Sequence, residues 1–584
     1  MKNTGLPSID KTHLRGVPFH ERNPIIPNFI SVANALKLMA FTKDRYVVDC
    51  MDLRVKVSEL KEDSRMLAKA FIKLGTKPGD IIACAMPNLY QTFLVFMAAN
   101  TIGAITTYLN PYASKEELKD YLNLYESKIF INYDFDNQTN KYFKDNSKVE
   151  KIISLKSANV NSRDFYIKSN DDVLSKNVID FNEIGYIAKL QNGKFKKNFG
   201  GSQECLILHT SGSTGNPKSM VFTNENVLAA LIYLKHSTHT KAPTEDDCRW
   251  MNVVPFMYPY GFLVSVLGPL FIKREIILVP SVSAERISDI YNKKPHLLFG
   301  SPAFLELTQK NLPNEQNCSG LKIFISGGDF LSEKKSREGV EFFKSHGACV
   351  QIANGSGNGE VLGCCSNSMN VEYRPETVGQ LVVGPDYLVI DEDTKKEVKY
   401  GEMGVLCILG KHIFTKYYKN EADTKKVMIE LNGKQYYNTG NYGILHRDRY
   451  FELIGRSSRF YIIGTLNKVY CELVQRVICM IDEVDSCVVV PKTNDENLYE
   501  GKAYIKLKHG FEESDQMKKI ILDKCHMSFV DESTNEKLLL KEYEIPASIS
   551  FVSEIKRHDG SDKIDYEYYK KEAELEYQRK KHMN

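Results

Sequence analysis

The sequence lacks an excess of charge of either sign. Its 584 residues include 77 Lys and Arg against 74 Asp and Glu, which leaves a formal net charge of +3. A nucleic-acid-binding domain normally carries a concentrated basic surface. We therefore expect no nucleic-acid partner.

The thirteen cysteines lack the paired spacing of a metal or redox motif, and Cys364 and Cys365 form the single close pair. The first residues lack the apolar core of a secretory signal, because they carry Asp10, His13 and Arg15. The sequence therefore predicts a cytoplasmic protein with free thiols.

A membrane-spanning helix is also missing from the predicted elements. Residues 250–272 carry no charge and are long enough to cross a bilayer. However, Pro255, Pro259 and Pro269 would interrupt a helix repeatedly. We expect no transmembrane segment here, but a buried strand followed by a helix that lines a pocket.

The length exceeds what one hydrophobic core can organise, so two or more domains are expected. Short apolar runs alternate with helical periodicity between residues 47 and 132, which indicates parallel βαβ layers. Residues 133–200 are rich in Lys, Asn, Asp and Ser, and this composition predicts a peripheral, solvated excursion.

The most informative stretch is residues 209–220, which read His-Thr-Ser-Gly-Ser-Thr-Gly-Asn-Pro-Lys-Ser-Met. The apolar run at residues 204–208 predicts a strand before it, and the spacing at residues 224–234 predicts a helix after it, with Asn224 as a cap. Hydroxyls, backbone amides and a lysine between a strand and a helix are suited to binding a polyphosphate. The common nucleotide P-loop is excluded because Pro217, not Gly, precedes Lys218.

This loop resembles the phosphate-binding signature Thr-Ser-Gly-Ser-Thr-Gly-x-Pro-Lys of the adenylate-forming superfamily. That superfamily includes acyl-CoA synthetases, luciferases and the adenylation domains of peptide synthetases. Similar motifs occur along the chain in the family's order, from about residue 30 to residue 570. They are Gly103-Ala104, Asn110-Pro111, residues 255–261 with Tyr258 where histidine is usual, Ser326-Gly327-Gly328, and residues 354–360, 401–406, 437–441, 455–456 and 560–565.

The resemblance implies an α/β fold of two parts. Residues 1–457 would form a large N-terminal domain of layered α/β subdomains, with mostly parallel sheets and a small β-barrel. Residues 458–584 would form a smaller, mobile α+β domain, with Ser458 at the hinge between them. In this family the small domain swings between two reaction steps.

The resemblance also assigns site residues by type. Those expected to bind ATP are Thr210, Ser211, Gly212, Ser213, Thr214, Gly215, Lys218, Ser356, Gly357, Asn358, Asn441 and Arg456. Those expected to line the acid pocket are Met257, Tyr258, Tyr260, Gly327, Gly328, Asn354 and Gly355. Glu360 is expected to bind Mg²⁺ and, with Thr214 and Lys563, to form the catalytic set.

These roles imply a two-step reaction. A carboxylate attacks the α-phosphorus of ATP to give an acyl-adenylate, helped mainly by positioning and by positive charge. A thiol then takes the acyl group and releases AMP. The thiol is most simply coenzyme A, and the phosphopantetheine of an acyl carrier protein is the alternative.

The departures from the family pattern lie around the nucleotide. Ser356 replaces the tyrosine that stacks on adenine, Gly359 replaces a hydroxyl residue, and Asn441 replaces an aspartate. Loss of the stack alone would cost about 1–3 kcal/mol, judged from aromatic–base stacking elsewhere. The family's Pro-x-Glu-Ile-Glu is represented by residues 471–475, Cys-Glu-Leu-Val-Gln.

Three interpretations follow from this pattern. The first is an acid–thiol ligase that acts on an aromatic or aliphatic acid. The second is a stand-alone amino-acid adenylation domain, against which residues 255–263 lack the acid that would hold an ammonium group. The third is a pseudoenzyme that binds a nucleotide or acyl ligand, which would explain the departures. The particular acid, the thiol acceptor and the oligomeric state stay open.

Overall fold

The computed structural model describes residues 4–165, 172–193, 195–196, 199–210, 218–239, 248–329, 331, 333–367, 374, 377–456, 459–463, 467–494, 499–531, 536–558 and 563–583. Helix Tyr90–Ile102 lies at the centre of the core, and all thirteen of its residues are buried. A helix that is apolar on every side must be covered on every side, and this one contacts strands of both large sheets. It ends at Gly103, whose φ of 77° is a left-handed conformation that glycine adopts without strain.

The first large sheet has fourteen strands in the described residues and changes from parallel to antiparallel across its width. The parallel half is bordered by one antiparallel edge strand. Its order is Leu53–Lys56, Tyr46–Cys50, Glu275–Leu278, Arg249–Asn252, Leu297–Gly300, Ile323–Ser326 and Gln351–Ser356. These strands are short and mostly buried along their length, as expected for parallel strands covered on both faces.

The other half of this sheet is antiparallel, and it continues from the parallel strands as one sheet. Its order is Ser366–Asn367, Thr377–Leu381, Tyr450–Arg456, Lys434–Leu445, Met403–Leu409 and Asp386–Ile390, with Met428–Leu431 paired to Lys434–Leu445. The strand Lys434–Leu445 alternates between buried and partly exposed residues, which is typical of a sheet with one covered face.

The second large sheet has eight strands in the described residues, of which the central ones are parallel. Its order is Lys416–Tyr417, Ser219–Thr223, Glu204–His209, Ile105–Tyr108, Ile81–Ala85, Ile129–Tyr133, Lys151–Leu155 and Val178–Asp180. The longer helices of this large part are Val57–Lys73, Tyr90–Ile102, Lys115–Tyr125, Asn137–Asn146, Ile184–Lys189, Asn224–Leu234, Ile287–Asn292, Pro302–Asn311, Glu333–Ser345 and Glu421–Val427.

A smaller C-terminal domain completes the α/β fold. Strands Val484–Thr493 and Tyr499–Leu507 are antiparallel, and Ser548–Phe551 joins them in parallel. Two hairpins, Phe460–Ile463 with Asn467–Tyr470 and Phe529–Asp531 with Glu536–Leu538, accompany helices Cys471–Cys479, Asp515–Cys525 and Tyr566–Met583. The predicted boundary between residues 457 and 458, including Ser458, lies outside the described residues.

The prediction for residues 250–272 is confirmed. Arg249–Asn252 is a strand, and a π-helical segment, Tyr260–Leu267, leads into helix Gly268–Phe271. Among the helices that the structure describes, none has both the length and the apolar character needed to cross a membrane.

The prediction that residues 133–200 form a solvated excursion is wrong. Strands Lys151–Leu155 and Val178–Asp180 extend the second sheet in parallel. The aromatic rings of Phe165 and Phe181 are buried in the main core. The polar flanks dominate the composition of this segment, so they concealed short apolar runs that a strand can bury.

The predicted order of strand, loop and helix after His209 is also wrong. Strand Ser219–Thr223 follows the loop and pairs antiparallel with Glu204–His209, and helix Asn224–Leu234 begins only afterwards. Thr223, rather than Asn224, caps this helix by accepting a hydrogen bond from the backbone N–H of Asn226. The loop therefore joins two strands, and the helix N-terminus that was expected to favour phosphate does not follow it directly.

Candidate active site

A cavity of about 1050 Å³ opens where the two large sheets and the C-terminal domain meet. It brings together most of the predicted site residues. Those that line it are Thr210, Lys218, Met257, Tyr258, Tyr260, Gly327, Gly328, Gly355, Ser356, Gly357, Asn358, Glu360, Arg456 and Lys563. Asn354 and Asn441 are not among the lining residues, and Ser211, Gly212, Ser213, Thr214 and Gly215 lie outside the described residues.

The two ends of the predicted phosphate loop are fastened to each other. The backbone N–H of Thr210 donates to the carbonyl of Lys218 at 2.9 Å, and the backbone N–H of Lys218 donates to Thr210 Oγ1 at 2.9 Å. The antiparallel pairing of the flanking strands makes this closure possible. Thr210 and Lys218, which both line the cavity, are therefore held together at the ends of two paired strands.

The ammonium group of Lys218 has an acidic partner and an aromatic neighbour. Its Nζ lies 3.1 Å from Asp423 Oδ2 and 5.0 Å from the centre of the Tyr417 ring. Asp423 belongs to helix Glu421–Val427, and its hydrogen bonds with Lys426, Lys218 and Asn420 lower its pKa to about 2. Lys218 is therefore held at the cavity by a carboxylate that stays charged at neutral pH.

Two tyrosines hold the carboxylate of Glu360. The Tyr417 hydroxyl donates to Glu360 Oε1 at 2.5 Å, and the Tyr437 hydroxyl donates to Oε2 at 2.8 Å. Burial, followed by the charge of Glu360, raises the pKa of both hydroxyls. Both phenols therefore keep their protons at neutral pH and remain donors to the carboxylate.

Arg456 and Asn441 face each other on neighbouring strands. They are directly paired in the antiparallel register of Lys434–Leu445 and Tyr450–Arg456. Burial lowers the pKa of the Arg456 guanidinium from its usual range, and the nearby Arg459 lowers it further. Only Arg456 of this pair lines the cavity.

Lys563 reaches the cavity from the C-terminal domain. Its backbone carbonyl accepts a hydrogen bond from the N–H of His558 at 2.9 Å, and Arg557 and Ile564 form a β-bridge. Arg557 Nη1 lies 3.4 Å from Asp329 Oδ2, next to the Gly327-Gly328 turn of the large domain. Burial, and then repulsion by Arg456, lowers the pKa of Lys563 to about 8.

Many of the residues that line the cavity are apolar or aromatic. They include Tyr260, Val264, Phe299, Phe304 and Leu307. The Tyr260 hydroxyl donates to the carbonyls of Gly300 at 3.2 Å and Ile325 at 2.9 Å, so its polar group is satisfied and its ring faces the cavity wall. In the described residues, the charged side chains that line the cavity are Lys218, Glu360, Lys426, Arg456 and Lys563, and none of them belongs to the helices and the strand that carry these apolar residues.

Two glycines in the nucleotide segment lie close to neighbouring atoms. A Cβ on Gly357 would lie 2.2 Å from the carbonyl oxygen of Gly363, which is backbone, so this position requires glycine. A Cβ on Gly359 would lie 2.7 Å from the sulfur of Met220. Because that sulfur is near the end of a flexible side chain, a larger residue at position 359 requires only that Met220 turn aside.

Sequence reasoning missed four polar residues of the site. His209 Nε2 lies 3.0 Å from the Tyr125 hydroxyl, and burial lowers the pKa of His209 to about 4, so the ring is neutral. Tyr417, Tyr437 and Asp423 were likewise not assigned a role. Tyr437 stood inside the quoted motif at residues 437–441, whereas no local pattern marks Tyr417 or Asp423.

Solved structures with the same fold include CoA ligases. An anthranilate CoA ligase, AuaEII, in complex with anthranoyl-AMP aligns with a TM-score of 0.77 at 18% identity, covering 94% of this chain and 98% of that one. The ATP-bound RpMatB-BxBclM chimera B1 aligns with a TM-score of 0.78 at 18% identity, covering 94% and 99%. These similarities establish the shared fold.

Relatives in sequence include a probable 4-coumarate–CoA ligase 3 of Dictyostelium discoideum. It is 24% identical over 483 residues, which cover 80% of this chain and 84% of the relative. A D-alanine–D-alanyl carrier protein ligase of Listeria monocytogenes serotype 4a (strain HCC23) is 24% identical over 303 residues, covering 50% of this chain and 57% of the relative.

The fold, the cavity and these relatives together define an AMP-forming acid–thiol ligase. The chain belongs to the AMP-binding enzyme family, whose profile matches residues 39–418.

Proposed function

We propose that this enzyme activates an apolar carboxylic acid with ATP and transfers the acyl group to coenzyme A. The observation that carries the proposal is the mixed lining of the cavity described above. Lys218, Arg456 and Lys563 provide positive charge, and aromatic and aliphatic side chains provide apolar surface. An acid with an aromatic or aliphatic body would place its carboxylate towards the charged side chains and its body against the apolar ones.

In the first step, the chain's residues position the reactants and offset negative charge. Lys218 would meet the β- and γ-phosphates of ATP after leaving Asp423, and Arg456 would meet the ribose. Lys563, protonated below about pH 8, would face the α-phosphate and the attacking carboxylate as charge develops there. The apolar wall around Phe299 and Phe304 would exclude water from the acyl end.

Glu360 fits a role in holding Mg²⁺. Magnesium prefers hard oxygen ligands and commonly binds through one or two carboxylates together with substrate phosphates. Glu360 is 8% exposed and lines the cavity, and each of its oxygens accepts one tyrosine hydrogen bond, which leaves further lone pairs on the carboxylate. The described residues contain no cluster of three His, Cys, Asp or Glu that would hold a metal without substrate. The ion would neutralise phosphate charge when it is bound.

The test is ATP–pyrophosphate exchange measured across aromatic, aliphatic and amino acids, with the native enzyme, Lys563→Ala and Lys571→Ala. Lys571 is exposed on helix Tyr566–Met583 and serves as the matched control. We expect one class of apolar acid to stimulate exchange, Lys563→Ala to abolish it, and the control to retain it. If none of the acids stimulated exchange although the protein is folded, the proposal of adenylation would be contradicted.

The thiol acceptor requires a separate measurement. The purified acyl-adenylate is supplied with coenzyme A or with a phosphopantetheine-bearing carrier protein, and release of AMP is followed. We expect coenzyme A to be the faster acceptor. Faster transfer to the carrier protein would replace the second half of the proposal and leave the first half intact.

A further inference from the structure

A chain of hydrogen bonds connects Asn441 to Glu360. Asn441 Nδ2 donates to Asn358 Oδ1 at 3.0 Å, and Asn358 Nδ2 donates to the Tyr437 hydroxyl oxygen at 3.1 Å. Tyr437 donates onward to Glu360 Oε2 at 2.8 Å. Asn441 and Tyr437 are 5% and 2% exposed, and Asn358 between them is partly exposed and lines the cavity.

The direction of donation along this chain is fixed by a backbone carbonyl. Asn358 Nδ2 also donates to the carbonyl of Thr439 at 2.7 Å, and a carbonyl can only accept. The amide nitrogen of Asn358 must therefore face Thr439 and Tyr437, and its oxygen must face position 441. That oxygen needs a donor, which the Asn441 amide supplies and an ionised carboxylate does not.

The same direction determines what Tyr437 does. Because its oxygen accepts from Asn358, its single hydrogen is directed at Glu360. With Tyr417 donating to the other carboxylate oxygen, both oxygens of Glu360 are held in place. If the amide of Asn358 reversed, the Tyr437 hydroxyl would be drawn to its oxygen and Glu360 would lose one of its two donors.

We propose that Asn441 is a positioning residue, which orients Asn358 and Tyr437 so that the Glu360 carboxylate is held for metal-bound nucleotide. This proposal rests on the proposed function, specifically on the role of Glu360 toward Mg²⁺. Asparagine rather than the family's aspartate stands at position 441 because its amide donates to Asn358, and Asn441 does not line the cavity. Restoring aspartate would then place two acceptors against each other and weaken the site.

The experiment measures ATP binding by calorimetry, once with Mg²⁺ and once with a chelator, and takes the ratio of the two affinities. We expect Asn441→Asp and the isosteric Tyr437→Phe each to lower this ratio by about 10-fold to 100-fold, as losses of groups that orient a metal ligand do elsewhere. The ratio for the double variant should be no lower than the ratio for Tyr437→Phe alone, because both changes interrupt the same chain of hydrogen bonds. If Asn441→Asp fails to fold, Tyr437→Phe carries the test.

Gln435→Glu is the matched control. It is the same change from amide to carboxylate on the same strand, but Gln435 is exposed and is not among the residues that line the cavity. We expect its Mg²⁺ ratio to equal that of the native enzyme.

Two results would overturn the inference. If Asn441→Asp changed ATP affinity equally with and without Mg²⁺, Asn441 would act on the nucleotide directly rather than through Glu360. If Glu360→Gln left the Mg²⁺ ratio unchanged, the proposed role of Glu360 would fail and the positioning role would fail with it.

Discussion

Lys563 combines a partly shielded position with a positive neighbour, and both features favour its neutral form. Because its pKa is lowered to about 8, it is protonated below that pH and neutral above it. A lysine that offsets phosphate charge must be protonated. The alkaline limit of the adenylation step should therefore fall near pH 8 rather than near the ordinary pKa of lysine.

This expectation is tested with the pH dependence of ATP–pyrophosphate exchange from pH 6.5 to 10. In the native enzyme the rate should decline as pH rises through about 8. The arginine of Lys563→Arg keeps its charge to much higher pH. The pH at which the exchange rate declines should therefore be higher in this variant, even if its maximal rate is lower. Lys571→Arg is the control. An unchanged alkaline limit in Lys563→Arg would assign the titration to another group.

Gly357 shows how tightly the backbone is packed around the nucleotide segment. A methyl group there would lie 2.2 Å from the carbonyl oxygen of Gly363, which is backbone and cannot turn aside. We expect Gly357→Ala to destabilise the fold by about 1–3 kcal/mol, the usual cost of overpacking. Gly355→Ala is the control, since its nearest atoms would be 3.8 Å away. Thermal unfolding should show a lower midpoint for the first variant, and equal midpoints would contradict the argument.

At the scale of elements, helix Glu421–Val427 restrains the residue expected to bind phosphate. Lys218 must leave Asp423 before it can meet a phosphate group. Asp423→Asn removes the competing charge, so we expect ATP to bind a few-fold more tightly. Calorimetric titration measures this effect, with Glu421→Gln, an exposed position on the same helix, as the control. Unchanged or weaker ATP binding would show that Asp423 does not compete with the nucleotide.

The elements that could be predicted from sequence are those with a strong local pattern. Helix Tyr90–Ile102 and the strands around it follow from apolar runs separated by turn residues. Strand Ser219–Thr223 was missed because its pairing with Glu204–His209 is made across the loop between them. A short strand that is stabilised by pairing with a distant segment carries little evidence of strand structure in its own few residues.

The same limit applies to the candidate site. Motif residues such as Lys218, Glu360, Arg456 and Lys563 were identified from sequence, and the fold brings them to one cavity. Tyr417 and Asp423 come from separate elements and reach the site only through tertiary packing. The bond between Asn441 and Asn358 spans 83 positions of the chain, so a residue-by-residue comparison with a family motif registers Asn441 as a departure without connecting it to Asn358.

At the scale of the whole molecule, the two parts are arranged with Lys563 in the cavity. Arg557 of the C-terminal domain lies 3.4 Å from Asp329 of the large domain, six residues before Lys563. The N–H of Asp565 donates to the carbonyl of Lys556 at 3.0 Å, so both sides of this segment are tied together. The Arg557–Asp329 contact therefore fixes the segment that carries Lys563. We infer that this arrangement serves the first reaction step.

Arg557→Ala tests that inference, because the two steps can be measured apart. Loosening this contact should lower ATP–pyrophosphate exchange a few-fold, since Lys563 would spend less time at the α-phosphate. Transfer from a supplied acyl-adenylate to coenzyme A does not require Lys563 at that place and should keep its rate. Arg579→Ala, an exposed arginine on helix Tyr566–Met583, is the control and should alter neither step. An equal loss in both steps would mean that Arg557 supports the fold as a whole, and the contact with Asp329 would then have no special part in adenylation.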